Sequence, residues 1–332
     1  MTAGATVGWG IVGTGGIAET TIGDLRLTSN VSVRAVASRD PRRARHFAQR
    51  HDIPRAHDSY TALFDDDSVD VVYIGTPSSS HAEIAIAALE AGKAVLVEKP
   101  FATTEEEARE MVAAADRAGR FLMEAMWMRF NPAICRMLAD VADGAIGDVT
   151  AVNAGFGIPF PPTWNVWRPD LGGGALLELG VYPVSLAHLL LGAPEQVFGV
   201  GSMRADGLDV TASVHLRYGD ERFAQVVTSL AGFVSPGASI GGTGGFIAFD
   251  EPFMSAAQFR LETPMRGEPR IVRTELEGKG YVPMFRAVSD GVAAGLTEHP
   301  MRPLADTIDV LATLDDVRRQ LAAASGMAPR AI

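Results

Sequence analysis

The stretch Val7-Gly8-Trp9-Gly10-Ile11-Val12-Gly13-Thr14-Gly15-Gly16-Ile17-Ala18 decides the fold. It is a short apolar run closing on G-x-G-x-x-A, where Gly13, Gly15, Gly16, Ile17 and Ala18 turn a strand into a helix. Glycines at these places allow a tight turn and close backbone approach to a pyrophosphate, which then rests on the helix N-terminus. A simple glycine turn can look the same, so the downstream rhythm decides between the two. From Thr6 to about Met123, the runs TVGWGIV, VSVRAVAS, VDVVYIG, AVLVE and FLM alternate with amphipathic or Ala-rich segments, which is the pattern of βαβ units on a parallel sheet. Asp40-Pro41 reads as an N-cap followed by Pro at the first helical position. Ser80 with Glu83, and Thr103 with Glu106, have capping-box spacing. The acidic run Asp65-Asp66-Asp67 reads as a solvated loop.

The tip of the second strand sets the expected nucleotide. Ser38-Arg39 stands roughly twenty-five residues past Gly13, where a site for NAD usually carries an acidic residue on the ribose hydroxyls. A carboxylate would repel a 2'-phosphate, whereas Ser38 can hydrogen-bond one and Arg39 can pair with one. Arg43, about one helical turn on, offers a second cation, while Arg42 and Arg45 read equally well as a solvated basic face. NADP is therefore the expected cofactor, and Asp40 leaves dual use of NAD open. The next two strand ends, Gly75-Thr76-Pro77 and Glu98-Lys99-Pro100, should face the nicotinamide half, because ligands of doubly wound sheets gather at the carboxyl ends of strands. A lysine there, fixed between Glu98 and Pro100, is a candidate for chemistry rather than an idle surface charge.

After Glu124 the texture changes. A helix is expected through EAMWMRFNPAICRMLAD, then a strand DVTAVNAGF and a Pro- and Trp-rich loop over Gly157 to Asp170. An apolar helix begins near Gly173, followed by the strand-like runs EQVFGVGSM, VTASVHLRYG, RFAQVVTSLAGF and FRLETP, and by two closing helices over about Pro283–Leu296 and Pro303–Ala323. Gly241-Gly242-Thr243-Gly244-Gly245 lies among these strands and reads as a turn, not a second nucleotide loop. Strands gathered behind a helix indicate an α+β domain on a large, mostly antiparallel sheet. The fold class is thus α/β, an N-terminal Rossmann sheet plus a C-terminal α+β domain. The boundary is set at 1–124 and 125–332.

Bulk properties agree. The chain has 332 residues, beyond the roughly 250–300 at which one hydrophobic core stops growing, and it is 47% apolar and 21% charged. A formal net charge of -11 argues against a nucleic-acid partner, since that affinity comes largely from cations neutralising phosphates. The only cysteine, Cys135, can form no internal disulfide and suits a reducing compartment. No leader pattern is read at MTAGATVGWGIVG and no segment is read as a membrane span, so the cytoplasm is the expected location. His81, His188 and His215 have no partners at ligand spacing, so no metal is expected.

Taken in order, G-x-G-x-x-A, the strand-two Ser-Arg, GTPSSSH, E-K-P and GGGALLELGVYP resemble the glucose-fructose oxidoreductase/inositol dehydrogenase (Gfo/Idh/MocA) family over essentially the whole chain. FLMEAMWMRFNP and ASRDPRRARHFAQ resemble its branch of dimeric dihydrodiol dehydrogenases and NADP-dependent D-xylose dehydrogenases. The resemblance implies an NAD(P)-dependent oxidoreductase moving hydride to or from a CH–OH or C=O carbon of a sugar, polyol or trans-dihydrodiol. It implies Tyr182 as general acid/base where many relatives carry His, with Lys99 assisting and His81 helping at the nicotinamide turn. Glu178 is the third member of this set, where the family usually has Asp; if the stretch is helical, Glu178 and Tyr182 share a face. Pro183 withholds a backbone donor and can bend that helix. Trp127, Arg129 and Phe156 match positions near the substrate in that branch, and Trp167, with Trp164 and Arg168, lies in the loop before Gly172. Self-association through the open face of the C-terminal sheet is implied as a dimer or tetramer. Two other readings stay open, a ketoreductase of a nucleotide-linked ketosugar and a dinucleotide-sensing protein without chemistry. Lys99 and Tyr182 argue against the second.

Overall fold

The structure, a computed structural model, describes residues 6–219, 221–250, 252–263 and 267–326. Met1–Ala5, read for a leader, and Pro264, at the end of the FRLETP run, lie outside the described residues. The first elements alternate: β1 (Val7–Val12), α1 (Gly16–Leu27), β2 (Val31–Ala37), α2 (Pro41–Arg50), β3 (Arg55–His57), α3 (Tyr60–Phe64), β4 (Val71–Ile74), α4 (His81–Glu90), β5 (Ala94–Val97), α5 (Glu105–Ala118) and β6 (Leu122–Glu124). Their strands form one sheet in the order β3-β2-β1-β4-β5-β6 with every pairing parallel. β1, β4 and β5 are buried along their whole length, which is why they read as unbroken apolar runs and not as alternating ones. The chain order reverses between β1 and β4, the switch point where doubly wound sheets bind ligands.

The second half carries α6 (Pro132–Ala142), β7 (Val149–Gly157), α7 (Val181–Leu191), β8 (Gln196–Met203), β9 (Asp209–Tyr218), β10 (Arg222–Ser229), β11 (Ala238–Gly242), β12 (Gly245–Phe249), β13 (Gln258–Glu262) and β14 (Arg270–Arg273). These eight strands form one sheet in the order β14-β13-β12-β11-β7-β10-β9-β8, antiparallel except where β7 runs parallel to β10. α7 packs against β7 and β10. The other face is open: Phe198 stands beside His215, which stands beside Gln225, and Val200 beside Ser213 and then Val227. Phe198 and Val200 are more than half exposed, at 53% and 68%. Two further helices, α8 (Val282–Ala293) and α9 (Leu304–Ala324), close the chain.

The packing divides into two compact units that are not continuous in sequence. One comprises Met1–Ala102, Glu106–Phe130 and Glu277–Thr307; the other comprises Thr103–Glu105, Asn131–Leu276 and Ile308–Ile332. In the first, Phe285 of α8 packs edge-on against both Trp9 and Tyr73, with ring centroids at 5.6 and 5.8 Å.

Several local expectations change. EAMWMRFNPAICRMLAD is not one helix: β6 ends at Glu124, Trp127–Phe130 is a single 3-10 turn, and α6 starts at Pro132. Proline disfavours the helical region for the residue before it, and Asn131 instead caps α6 by accepting from the Ala133 N–H at 2.7 Å. The Ser80–Glu83 capping box does not form, because Ser80 Oγ donates back to Pro77 O at 2.8 Å and to Thr76 Oγ1 at 2.9 Å. Asp66 is not solvated but buried, held by Ser68, Arg55 and His57. The segment Pro169–Leu191 does reach membrane-spanning length and apolarity, yet 83% of its most apolar window is buried inside the protein, as in a core helix. Asp40 caps α2 as expected, accepting from the Arg42 N–H at 2.9 Å, and Thr243-Gly244 is the turn joining β11 to β12.

Candidate active site

The first glycine turn is shaped from both sides. Gly13 has φ +104°, and a Cβ there would lie 2.6 Å from the carbonyl oxygen of Gly75. Only glycine lets the turn after β1 meet the turn after β4 so closely. Around Gly15 and Gly16 the opposite holds, since an added Cβ would meet nothing within 4 Å. Gly15 is the N-cap of α1 and makes no side-chain cap hydrogen bond. A helix start leaves backbone N–H groups without intrahelical partners and carries partial positive charge. Open space in front of an uncapped twelve-residue helix fits the pyrophosphate of a dinucleotide. Ile17 and Ala18 serve packing: Ala18 is fully buried and Ile17 lies against Gly75.

At the tip of β2 the charges sort themselves. Asp40 is engaged by Arg42, through the cap and an ion pair at 3.2 Å, and the Arg42 hydrogen bonds hold its carboxyl below the usual range. Arg45 pairs with Asp58 at 2.7 Å. Arg39 and Arg43 are exposed, and among the described residues no carboxylate lies within ion-pair distance of either. Arg43 Nη2 donates to Thr14 O at 3.3 Å, so it reaches the glycine turn. Ser38 is buried, and its hydroxyl accepts from Thr14 Oγ1 at 3.5 Å.

The turns after β4 and β5 are tied together by His81. Its Nδ1 lies 2.9 Å from Pro100 O and its Nε2 2.9 Å from Thr76 O, while burial pushes the ring's pKa down. Glu98 is 4% exposed and clamped. Tyr73 OH donates to its Oε1 at 2.5 Å, and the Lys99 N–H donates to its Oε2 at 3.2 Å. Burial and the Glu98 charge push the Tyr73 phenol well up, so it stays a neutral donor. The backbone of half-exposed Lys99 is therefore fixed by a buried pair, and its peptide bond to Pro100 is cis.

In the second unit, Gly172-Gly173-Gly174 leads into a π-turn, Leu176–Gly180, and then into α7. Gly172 ends the preceding 3-10 turn at φ +79°, and a Cβ on Gly173 would lie 2.5 Å from Val166 O. Pro183, at the start of α7, withholds a backbone donor, and the widened turn precedes it. The regular one-turn spacing expected between Glu178 and Tyr182 is thus interrupted at Glu178. Glu178 is half-buried, Tyr182 is 7% exposed, and the Tyr182 ring lies 6.1 Å from that of Phe156 at a tilt of 58°. Phe156 and Trp167 pack against the cluster of Ala175, Leu179, Leu208 and Leu230. The Trp167 indole donates to Phe160 O at 3.0 Å, and Trp164, 52% exposed, stacks on Phe160.

Trp127 and Arg129 are buried in the first unit. Trp127 stacks on Tyr281 at 4.7 Å. Arg129 is 2% exposed and donates to Asp306 Oδ2 at 2.6 Å and to Met301 O at 3.3 Å; burial and the nearby Arg302 pull its pKa down to about 10. Tyr281, Met301, Arg302 and Asp306 lie in Glu277–Thr307, which no local pattern marks as part of this unit. Sequence reasoning also missed the buried Glu124–Arg302 ion pair beside them, and Asp209 and Thr228 beneath the Gly172–Gly174 segment. Among the described residues no three His, Cys, Asp or Glu side chains gather as metal ligands would.

An open nucleotide cradle at the switch point of a Rossmann sheet, followed by an α+β unit on a large sheet, defines a class of dinucleotide-dependent enzyme. Residues 7–126 match the oxidoreductase family with an NAD-binding Rossmann fold (GFO_IDH_MocA), and residues 136–248 match the GFO/IDH/MocA C-terminal domain. The chain belongs to the GFO/IDH/MocA family and is an NAD(P)-binding oxidoreductase. It is 36% identical over 324 residues to trans-1,2-dihydrobenzene-1,2-diol dehydrogenase of Sus scrofa, covering 94% of this chain and 96% of that protein. The enzyme of the same name from Homo sapiens is 35% identical over 322 residues, with the same coverage. Among solved structures, a 3-ketoreductase from Actinomadura kijaniata in complex with NADP and TDP-benzene superposes with a TM-score of 0.84 at 29% identity, covering 95% of this chain and 98% of that one.

Proposed function

We propose that this oxidoreductase prefers NADP and interconverts a carbinol and a carbonyl on a trans-dihydrodiol, sugar or polyol, with Tyr182 as the proton-exchanging residue and Lys99 assisting it. The observation that carries the cofactor preference is the sorting of charge at the β2 tip. Asp40 is engaged by Arg42, while neither Arg39 nor Arg43 has a carboxylate within ion-pair distance among the described residues. A 2'-phosphate would supply the missing anion, with Ser38 as a further hydrogen-bonding group. Gly13, Gly15, Gly16 and the N-terminus of α1 would hold the pyrophosphate, and Thr76, Pro77, His81, Glu98 and Lys99 would border the nicotinamide.

When bound, nicotinamide supplies a hydride acceptor or donor. Oxidising a carbinol also releases the hydroxyl proton, so a group must take it as the hydride leaves. Tyr182 performs that exchange at its phenol oxygen, with Lys99 as the assisting residue. Phe156 beside Tyr182 and Trp167 on the adjoining cluster form an apolar surface suited to a ring-shaped substrate. The names of the curated relatives favour a trans-dihydrodiol. The TDP-benzene in the ketoreductase structure keeps a nucleotide-linked ketosugar as the second reading. We take the open face bearing Phe198, Val200 and Val227 as a surface for self-association, to be read by sedimentation velocity.

A nicotinamide-absorbance screen, run in both directions with NAD and NADP in parallel over diols, sugars, polyols and ketosugars, tests the activity. Tyr182→Phe tests the chemistry: turnover should fall by roughly 10²–10⁴-fold, as for loss of a general acid/base, with NADPH affinity nearly unchanged. Binding of NADPH without turnover across the panel would favour a sensing protein, and preserved turnover in Tyr182→Phe would remove that residue from the chemistry.

A further inference from the structure

A tyrosine that exchanges a proton must be presented in one orientation, and the loop before Tyr182 supplies part of that, with the Gly173 N–H donating to Arg168 O at 2.9 Å and the Gly174 N–H to Val166 O at 3.0 Å. The segment comprises three glycines and a π-turn. The sheet supplies a further constraint. Asp209, the first residue of β9, is 1% exposed, and its Oδ2 accepts the Leu176 N–H at 2.6 Å. From the neighbouring strand β10, Thr228 Oγ1 donates to the Ala175 carbonyl at 3.1 Å. These two partners belong to one peptide group, the one joining Ala175 to Leu176. A peptide group is planar, so holding its N–H from one side and its C=O from the other fixes the plane and the phase of the turn that follows.

The surrounding residues make room for this grip. Gly174 has φ +136°, and a Cβ there would collide with Asp209 Oδ1. Gly180, at the far end of the π-turn, lies against the Thr228 methyl, with a virtual Cβ at 3.2 Å. A buried carboxylate is costly unless hydrogen-bonded, and burial pushes the Asp209 carboxyl up while the Leu176 hydrogen bond and the charge of Arg318 oppose that shift. Keeping an ionisable group there, where an apolar residue would pack at less cost, points to its geometry as the reason.

We infer that Asp209 and Thr228 are positioning residues for the reaction, gripping the Ala175–Leu176 peptide so that the turn after it presents Glu178 and Tyr182 in one orientation. The inference rests on the reading of Tyr182 as the proton-exchanging residue. Asp209→Asn keeps the shape but offers a neutral acceptor, and Thr228→Val keeps the volume but removes the donor. Both are compared with wild type and Tyr182→Phe in the full chain, by melting midpoint, NADPH dissociation constant, kcat and KM on the best substrate of the screen, and amide hydrogen exchange over 173–182.

Misplacing a reacting group by about 1 Å can cost on the order of 10²-fold, so kcat should fall by about that factor in Asp209→Asn and about tenfold in Thr228→Val, with NADPH affinity within about twofold. Exchange over 173–182 should quicken in both. Folded variants that melt lower yet keep wild-type kcat would reduce the pair to a stabilising role and overturn the inference. If Asp209→Asn does not fold, Thr228→Val decides alone, and wild-type turnover there overturns it. A large loss in Tyr182→Phe with none in the two anchor variants defeats the positioning role only. Intact turnover in Tyr182→Phe defeats the reading of Tyr182, and this inference with it.

Discussion

Two glycine-rich turns lead into helices in this protein, and they treat the N–H groups of the helix start in opposite ways. At Gly13–Ala18 the start of α1 has no side-chain cap and open space before it. At Gly172–Leu176 the protein's own buried carboxylate, Asp209, accepts the Leu176 N–H. The positive end of a helix attracts an anion in either case. On the reading proposed above, that anion is left in the first turn for a ligand to bring; in the second a carboxylate of the protein stands at the Leu176 N–H. A run of glycines is therefore ambiguous until one knows what occupies the space a side chain would have filled.

The sharpest way to break the comparison is to add one methyl at each turn. Gly174→Ala should displace Asp209 and strain a positive-φ residue, costing on the order of 2–4 kcal/mol in a denaturant titration and most of the turnover. Gly16→Ala should shift stability by no more than about 0.5 kcal/mol, because its Cβ meets no protein atom within 4 Å. The same change should weaken NADPH by about tenfold, or about 1.4 kcal/mol, since the methyl takes space meant for the ligand. Equal stability losses for the two variants would erase the distinction between an open and a filled helix start.

A smaller effect sharpens the ligand side. Removing one charge-assisted contact is worth about 1.5–3 kcal/mol, so Arg39→Ala should raise the NADP dissociation constant by roughly 10- to 100-fold and leave that for NAD nearly unchanged. Equal losses for both nucleotides, by fluorescence titration, would exclude a 2'-phosphate contact.

The smallest expected effect contrasts two buried carboxylates. Burial alone would raise the Asp66 carboxyl, but hydrogen bonds from Ser68, Arg55 and His57 hold it well below the usual range. Its folded-state pKa is depressed, so its stabilising contribution is present above the unfolded value of about 3.9 and is lost as pH falls through the lower folded value. Asp66→Asn should therefore be less stable than wild type at neutral pH, and the gap should close on acidification. For Asp209 the sign is reversed. Burial raises its carboxyl, so the cost of its charge appears as pH rises through the folded value and is relieved in acid. A pH series of denaturation midpoints separates the two.

Much of the first unit was legible because its signals are local. The Asp40 cap depends on a hydrogen bond two residues along the chain, and the positive φ of Gly13 belongs to the turn itself. The same local reading failed where a distant partner won. Ser80 forgoes the capping box to bond Pro77 and Thr76, and Asp66, read as solvated, is buried against Arg55 and His57. Among the basic residues after β2, sequence could count cations but not see that Asp58 lies beside Arg45, while among the described residues no carboxylate is within ion-pair distance of Arg39 or Arg43.

By itself the sequence determined the two sheet types and the glycine turn after the first strand, because hydrophobic period and glycine placement act over short spans. Only the tertiary structure decided that Glu277–Thr307 packs with the first unit, that Arg129 is locked onto Asp306, and that Asp209 grips a peptide thirty-three residues before it. Such contacts join segments far apart along the chain, and their partners are chosen by the packing of whole elements rather than by any pattern a short window contains.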